Sequence, residues 1–183
     1  MLTNVSYNRS DRVYVVENLR SDQVVEFPAG RDGRQKAFQM GVYFHSARLY
    51  NLARDVIGRM PLLESRVWRA CELVLSGAVR LVDNPQPECG QTGRAVGLVG
   101  SSNEFGDYVV RRAGRNGGGQ WVCECEDFLQ GMAPYDATGP RCKHSIAVEF
   151  AAELAVVRCW HCGGANGPDV MVCGHCNRVV TPF

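Results

Sequence analysis

Eight residues with metal-binding side chains lie in four close pairs in the last third of the chain. The pairs are Cys123 and Cys125, Cys142 and His144, Cys159 and Cys162, and Cys173 and Cys176. Thiolate sulfur and imidazole nitrogen are preferred ligands of Zn²⁺, and a structural zinc site takes four of them. The spacing therefore predicts two Zn²⁺ ions, one held by the first four residues (the first metal set) and one by the last four (the second metal set). Because four protein ligands leave no position for water or substrate, we expect structural rather than catalytic metal.

The cysteine count favours metal over disulfide bonds, because nine is an odd number. Two cysteines lie outside the metal sets. Cys71 falls on an apolar helical stripe and is predicted to be a small core residue, whereas Cys89 is predicted to be a surface thiol. Thiolate-bound zinc is typical of a reducing compartment, so we expect an intracellular protein. Residues 1–18 lack the apolar segment of a signal peptide, and no apolar run is long enough to predict a membrane span.

The N-terminal region is predicted to begin with a β-hairpin and a long helix. Short β-branched runs at residues 13–16 and 24–27 flank a polar turn and indicate the hairpin. Asp32 is then predicted to cap a helix over residues 33–60, because apolar side chains recur there every three or four positions. His45 lies on this apolar stripe and is predicted to be a partly buried core residue.

A second helix is predicted to begin at Pro61 and to end at Gly77. Proline suits the first helical turn, and glycine suits the left-handed residue that follows a helix. The predicted buried stripe is Leu63, Val67, Cys71 and Val74. Residues 83–94 are rich in Pro, Gly and Asn and therefore indicate a loop that links two domains.

The C-terminal half is predicted to contain three strands, a helix and a cysteine-rich tail. The strands and the helix are expected at residues 95–101, Tyr108–Arg112, 120–125 and 143–157. Residues 114–119 include three consecutive glycines and are expected to form a hairpin loop. The predicted organisation is a region over residues 1–82, a linker over 83–94, a domain over 95–157 and a tail over 158–183. The fold class is therefore expected to be α+β.

The predicted elements can bring the first metal set together. Cys123 and Cys125 are two positions apart on a predicted strand, so both side chains point to the same face. Cys142 and His144 fall at the start of a predicted helix, where free backbone N–H groups and the helix dipole stabilise a thiolate. We therefore expect a strand hairpin and a helix that one Zn²⁺ clamps at their junction.

The C-x-C pair, long spacer and C-x-H pair resemble the SWIM-type zinc finger over roughly residues 106–157. The resemblance is strongest at residues 121–128, where acidic and aromatic residues follow the second cysteine, and at residues 141–148, where Lys143 precedes the histidine. The spacer is longer than in compact members of the family. The resemblance implies a zinc-bound, non-catalytic ββα module that contacts DNA or protein. Such modules occur in Mutator-type transposases, Swi/Snf-class helicases, recombination-associated partners and ubiquitin-linked kinases.

The second metal set has the C-x2-C spacing of two zinc knuckles and resembles a short zinc ribbon, with strands expected at residues 170–172 and 179–180. Gly163 and Asn177 follow the two knuckles and tolerate the left-handed backbone that such turns need.

Alternatives for the second metal set remain open. His161 or His175 could replace a cysteine as ligand, and a rubredoxin-type iron site could replace zinc. Arg158 and Arg178 would offset the charge of a four-thiolate site or contact phosphate. Trp160 would stack on a nucleobase or a partner, or else pack against the finger helix.

Charge alone does not indicate a nucleic-acid partner. The formal net charge is +1, and coordination by seven thiolates and two Zn²⁺ would change it to about −2. Phosphate contacts would therefore need a local basic surface. The candidate residues are Arg31, Arg34, Lys36, Arg111, Arg112 and Arg115, with solvated surface charge as the alternative.

The sequence predicts a non-catalytic protein with two zinc ions. It contains no phosphate-binding glycine loop before a helix, no zinc-deaminase pattern and no evident carboxylate pair, so neither an enzyme nor a small-molecule substrate is indicated. We expect it to bind nucleic acid or to assist a DNA-processing complex in recombination, transposition or transcription. The alternative is a protein–protein adaptor in which zinc is purely structural.

Overall fold

The computed structural model describes residues 3–81, 94–100, 106–112, 121–136, 139–155, 157–158, 161–162, 165–166, 172 and 175–178. Within these ranges the chain combines five α-helices with antiparallel sheets, which confirms the predicted α+β class. None of the described helices is both long enough and apolar enough to span a bilayer. The predicted linker falls almost wholly outside the described residues, so the domain boundaries stay predictions.

An antiparallel sheet of three strands forms the N-terminus. Its strands are β1 (Thr3–Asn8), β2 (Val13–Asn18) and β3 (Gln23–Pro28), hydrogen-bonded in that order. β2 and β3 are the predicted hairpin, which is confirmed. β1 is an additional strand. Its period-two signal consists of Val5 and Tyr7 between polar residues, which is too short to separate a strand from a polar loop.

The predicted long helix is wrong in one respect, because two helices occupy its span. α1 (Arg31–His45) and α2 (Ala47–Arg59) are separated by Ser46, whose backbone is extended and whose hydroxyl accepts a hydrogen bond from the Leu49 N–H at 3.2 Å. Serine is a strong N-cap residue, so it ends one helix and begins the next while the apolar stripe continues. The N-cap of α1 is Gly30 rather than Asp32.

The second predicted helix is confirmed. A 3-10 turn over Pro61–Leu63 leads into α3 (Glu64–Leu75), and Gly77 follows it with a positive φ of 71°. Cys71 is fully buried in its apolar face, as predicted. Burial, with a smaller contribution from the charge of Glu72, raises the pKa of the Cys71 thiol to about 12.

A second sheet carries the first half of the metal site. It consists of β4 (Val79–Leu81), β5 (Arg94–Val99), β6 (Tyr108–Arg112) and β7 (Trp121–Cys123), in that order. The predicted strands are confirmed with shifted ends, and β4 is additional. The remaining described elements are α4 (Glu126–Leu129), β8 (Tyr135–Asp136), β9 (Gly139–Pro140), α5 (Lys143–Ala155), β10 (Val157–Arg158) and β11 (Ala165–Asn166).

Two hydrophobic cores meet on opposite faces of α5. Ile146 and Phe150 join the core formed with α2 and α3, whereas Val148 joins the core beneath β5, β6 and β7. α5 is therefore apolar on both faces, as expected of a helix that is buried all round. The N-terminal helices and the metal-bearing sheet are consequently packed through one shared helix.

The second sheet lies close against α5 at Gly97 of β5. A Cβ atom there would lie 2.9 Å from Val148 Cγ2 and 3.2 Å from the Arg80 carbonyl oxygen. We predict that Gly97→Ala lowers the free energy of unfolding by about 1–3 kcal/mol, because the sheet must move away from the helix.

Gly58→Ala is the matched control, because no atom lies within 4 Å of a Cβ at this exposed position in α2. It should raise the free energy of unfolding by about 0.5–1 kcal/mol, since alanine favours helix. Urea titrations of both variants measure the effect, and equal stability of the two would contradict the packing at Gly97.

Candidate metal centre

The first two ligands are presented by the end of β7 and the residues after it. Cys123 is the last residue of β7 and pairs with Val110 of β6. The predicted strand is too long, because Cys125 already forms the N-cap of α4, where its carbonyl oxygen accepts hydrogen bonds from the N–H groups of Phe128 and Leu129 at 3.0 Å each. Cys125 nevertheless keeps an extended backbone, with φ −73° and ψ 155°, so the alternation that points both thiols to one side is preserved.

The other two ligands lie at the start of α5. The Ser145 N–H donates to Cys142 Sγ at 3.4 Å, and the Ser145 hydroxyl donates to the Cys142 carbonyl oxygen at 3.0 Å. N–H donors of a first helical turn stabilise thiolate over thiol, as the sequence predicts here. The Arg141 N–H also donates to the Pro134 carbonyl oxygen at 2.7 Å, which holds the segment before α5 in place.

The four side chains converge on one point. The sulfur atoms of the three cysteines and a ring nitrogen of His144 all lie within 4.8 Å of one another, and all four residues are buried. His144 Nδ1 is 3.9 Å from Cys123 Sγ, close to the separation of about 3.6 Å that tetrahedral Zn²⁺ imposes on sulfur and nitrogen ligands. The donor set and its spacing thus fit one metal ion, with all four tetrahedral positions taken by protein atoms.

Hydrogen bonds among the three thiols, together with burial, keep them from ionising together without a cation. Hydrogen bonds from Cys123 and Cys125 hold the pKa of Cys142 far below its usual range, and hydrogen bonds to Cys125 and Cys142 raise the pKa of Cys123 far above it. The pKa of Cys125 rises to about 11, because a hydrogen bond from Cys123 that lowers it is outweighed by hydrogen bonding to Cys142 and by burial. A divalent cation held by these residues would have to displace protons from Cys123 and Cys125, so its affinity would rise with pH.

Arginine–aromatic contacts connect the two ligand pairs. Trp121 is 2% exposed, and its ring centroid lies 4.7 Å from the guanidinium carbon of Arg112 and 5.9 Å from that of Arg141. Arg141 also forms an ion pair with Glu149 of α5. Trp121 precedes Cys123 by two residues and Arg141 directly precedes Cys142, so the contact between Trp121 and Arg141 fixes β7 against the start of α5.

Tyr108 packs against the histidine ligand and was missed by sequence reasoning. Its ring centroid lies 4.5 Å from that of His144, and the two planes are inclined by 32°. Strand alternation was the available signal in the sequence. Tyr108 is two residues before Val110, the partner of Cys123 in the sheet, so Tyr108 and Val110 lie on the same face. The sequence places Tyr108 on a strand, but not beside a ligand 36 positions later.

The second metal set is only partly within the described residues. Cys162 is exposed and Cys176 is half-buried, whereas Cys159, Cys173 and the predicted strand at residues 179–180 lie outside, as does most of the strand predicted at residues 170–172. Asn177 has a positive φ of 56°, which confirms the left-handed turn expected there.

A contact joins the two predicted knuckles of the second metal set. A guanidinium nitrogen of Arg178 lies 3.1 Å from His161 Nδ1, so one of the two residues inside the first C-x2-C turn meets the second residue after the other turn. The short β10–β11 pair brackets the first knuckle by joining Arg158 to Ala165. The contact between His161 and Arg178 shows that the two knuckles are close together. It does not define their metal ligands.

The predicted phosphate-contacting residues that the structure describes lie on two different elements, α1 and β6. Arg31, Arg34 and Lys36 are exposed on α1, where Lys36 forms an ion pair with Asp32 at 2.8 Å. Arg111 is only 9% exposed and lies 3.6 Å from Glu124, the residue between the first two ligands. Arg112 stacks on the indole ring described above. The remaining candidate, Arg115, and the predicted surface thiol Cys89 lie outside the described residues.

His45 is partly buried, as the sequence predicts. It is half-buried at the end of α1. Together with Phe38, Val42 and Leu75 it lines a mainly apolar cavity of about 400 Å³ between β1, α1 and α3.

No protein-family model, curated protein or solved structure matches this chain. The resemblance to SWIM-type fingers therefore stays a prediction from the motif. The assignment of the first metal set depends on the distances, burial and donor chemistry of its four residues.

Tyr108 provides a test of how the histidine ligand is held. We predict that Tyr108→Ala weakens Zn²⁺ binding by about 10- to 100-fold, because the imidazole ring loses the neighbour that limits its rotation. Competition with a chromophoric chelator measures the affinity. Tyr108→Phe keeps the ring and should bind as the parent does; a similar loss in both variants would contradict a role for ring packing.

Proposed function

We propose that the protein is a non-catalytic binding protein with two structural zinc ions, built on a SWIM-type finger, and that it binds nucleic acid or assists a DNA-processing complex. The observation that supports it best is the convergence of four buried ligand-type side chains within 4.8 Å. A site of three sulfurs and one nitrogen is of the closed, structural zinc type.

The proposed role of the first zinc ion is to join a hairpin to a helix. Two of its ligands, Cys123 and Cys125, come from the end of β7 and the N-cap of α4, and the other two, Cys142 and His144, come from the start of α5. Three buried thiols and an imidazole contribute little to folding without a cation, so metal binding and folding of this region should be coupled. When bound, Zn²⁺ neutralises thiolate charge at this junction. The chain's own residues, chiefly Trp121 and Arg141, then orient the two ligand pairs.

We assign the second zinc ion to Cys159, Cys162, Cys173 and Cys176. The contact between His161 and Arg178 supports this assignment, because it brings together the turns on which the two pairs lie. The positive φ of Asn177 supports it as well, since a knuckle needs such a turn after its second cysteine.

The zinc content of two cysteine variants tests the first metal set. One variant removes a proposed ligand, and the other removes an equally buried cysteine of the core. Cys142→Ala should reduce bound zinc from about two to about one per chain and lower the free energy of unfolding by about 3 kcal/mol or more, because the site loses a ligand and its metal. Elemental analysis and thermal unfolding with and without chelator measure both effects.

Cys71→Ala is the control, because Cys71 is equally buried but lies on α3 outside the metal set. It should retain about two zinc ions and lose only about 1 kcal/mol from the small cavity. A Cys142→Ala protein with undiminished zinc content would refute the proposed ligand set.

The nucleic-acid part of the proposal is supported by the resemblance and by the exposed cations Arg31 and Arg34 at the start of α1. We expect affinity for a labelled DNA or RNA oligonucleotide to fall as salt concentration rises, because phosphate contacts release counterions. Fluorescence anisotropy across a salt series measures this. Absence of binding at low salt, or affinity that is independent of salt, would contradict nucleic-acid binding.

A protein–protein adaptor is the second candidate, and exposed apolar side chains favour it. Leu62 is 83% exposed beside α3, and Leu129 and Met132 are exposed near the end of α4. Arg66 of α3 donates to the Met132 carbonyl oxygen at 3.3 Å, so these side chains flank one junction. An adaptor should retain a defined protein partner after nuclease treatment of the extract, whereas a partner recruited through nucleic acid should be lost.

A further inference from the structure

The N-terminal sheet ends at β1 without the features that usually protect a sheet edge. β1 is hydrogen-bonded to β2 on one side, and no described strand pairs with its other side. It contains no charged residue, no proline and no bulge, whereas β3 at the opposite edge carries Glu26 and ends at Pro28. Charges, prolines and bulges keep a sheet edge from pairing with another chain. The outer edge of β1 is therefore open to an added strand.

The cavity that His45 lines lies along this open edge. Of the described strands only β1 lines it, with three consecutive residues, Thr3, Asn4 and Val5. Neighbouring residues of a strand point to opposite faces, so a cavity that touches three in a row runs along the edge of the strand. Its other described walls come from α1 and from the end of α3. α3 therefore faces β1 across the place that a fourth strand would occupy.

Two side chains of β1 remain largely uncovered at this edge. Val5 is 49% exposed and Tyr7 is 44% exposed, although Val5 lies so close to α1 that a Cβ atom at Gly41 would be 3.1 Å from its Cγ2. The hydroxyl oxygen of Thr3 is shielded from solvent and has no hydrogen-bond partner among the described residues. An added strand would cover the first two side chains, and its main chain would bring donors and acceptors to the third.

The lining of the cavity indicates which kind of strand fits. Phe38, Val42 and Leu75 form apolar walls around about 400 Å³, so inward positions of the strand should be apolar. Among the described lining residues Glu72 is the one carboxylate, and none is a lysine or arginine. Glu72 is exposed and forms no ion pair in the described part of the chain, including with Arg69 one turn earlier. A lysine or arginine on the strand would complement it.

A second copy of the chain fits this place less well than a single strand does. Two β1 strands that pair antiparallel about a two-fold axis keep the helices of both copies on one face of the joined sheet. Packed helices need about 8–10 Å between their axes, whereas neighbouring strands are about 4.8 Å apart. Because α3 already extends past β1, the helices of a second copy would compete for the same space. An extended segment without helices of its own avoids this conflict.

We infer that the outer edge of β1 binds an extended peptide segment of a partner protein as a fourth strand. Main-chain hydrogen bonds to β1 would supply affinity, and the cavity between α1 and α3 would select apolar side chains at alternate positions together with a basic residue near Glu72. This inference goes beyond the proposed function, because neither zinc nor nucleic acid takes part in it.

A displayed library of random linear peptides of about 12 residues, selected on the full chain, supplies the probe. We expect enriched peptides with alternating apolar residues and a lysine or arginine. The best peptide is synthesised with a fluorescent label, and each main-chain nitrogen is methylated in turn. Anisotropy should show a loss of affinity of about tenfold or more at every second residue, because alternate N–H groups of an added strand face β1 and the others face solvent.

Two glutamate variants test the charge of the site with the same peptide. Glu72→Gln should weaken binding by roughly two- to fivefold, and replacing the basic residue of the peptide by alanine should cost no more in that variant. Glu26→Gln is the matched control, because Glu26 is equally exposed but lies on the opposite edge strand. It should bind as the parent does.

Three results would overturn the inference. They are the absence of any enriched peptide, a methylation pattern without a period of two, and a parent protein that sediments as a dimer which the peptide dissociates. The last result would identify a second copy as the occupant. None of them bears on the proposed zinc and nucleic-acid function, which is measured separately by zinc content and oligonucleotide binding.

Discussion

The burial of three thiols and an imidazole where β7 meets α5 is the constraint on which the C-terminal half depends. Sulfur atoms within 4.8 Å of one another in an apolar core cannot all be charged unless a cation lies among them. α5 also supplies Ile146 and Phe150 to the core of α2 and α3. The metal set that fixes α5 therefore also fixes the helix against which the N-terminal helices pack. One helix thus links the proposed zinc ion to both cores.

In this arrangement, the residues that would stabilise the fold by binding metal are not the residues that would contact a partner. All four ligands of the first metal set are buried, so the ion has no direct access to a partner. Side chains next to the ligands are differently placed: Lys143 is half-buried in the first turn of α5, whereas Glu124 is exposed and lies 3.6 Å from Arg111. Recognition would therefore depend on residues whose backbone the metal set positions, in agreement with a structural rather than catalytic metal.

Sequence patterns could predict that the four residues of the first metal set converge, because the relevant rules are local. Cys123 and Cys125 share a face by strand alternation, and Cys142 lies where a helix begins. The break at Ser46 could not be predicted from periodicity, because a single extended residue leaves the apolar stripe in register on both sides. Tyr108 illustrates the other limit. Tertiary packing between β6 and α5, which are distant in the chain, brings it against His144, and no spacing rule covers such contacts.

Zinc-edge X-ray absorption of the purified Cys162→Ala/Cys176→Ala protein tests the central claim most directly, because only the first metal set then retains four ligands. The account predicts one tightly bound zinc ion with three sulfur neighbours at about 2.3 Å and one nitrogen at about 2.1 Å. A bound oxygen ligand in place of a sulfur or the nitrogen, or a protein that folds stably without metal, would contradict it.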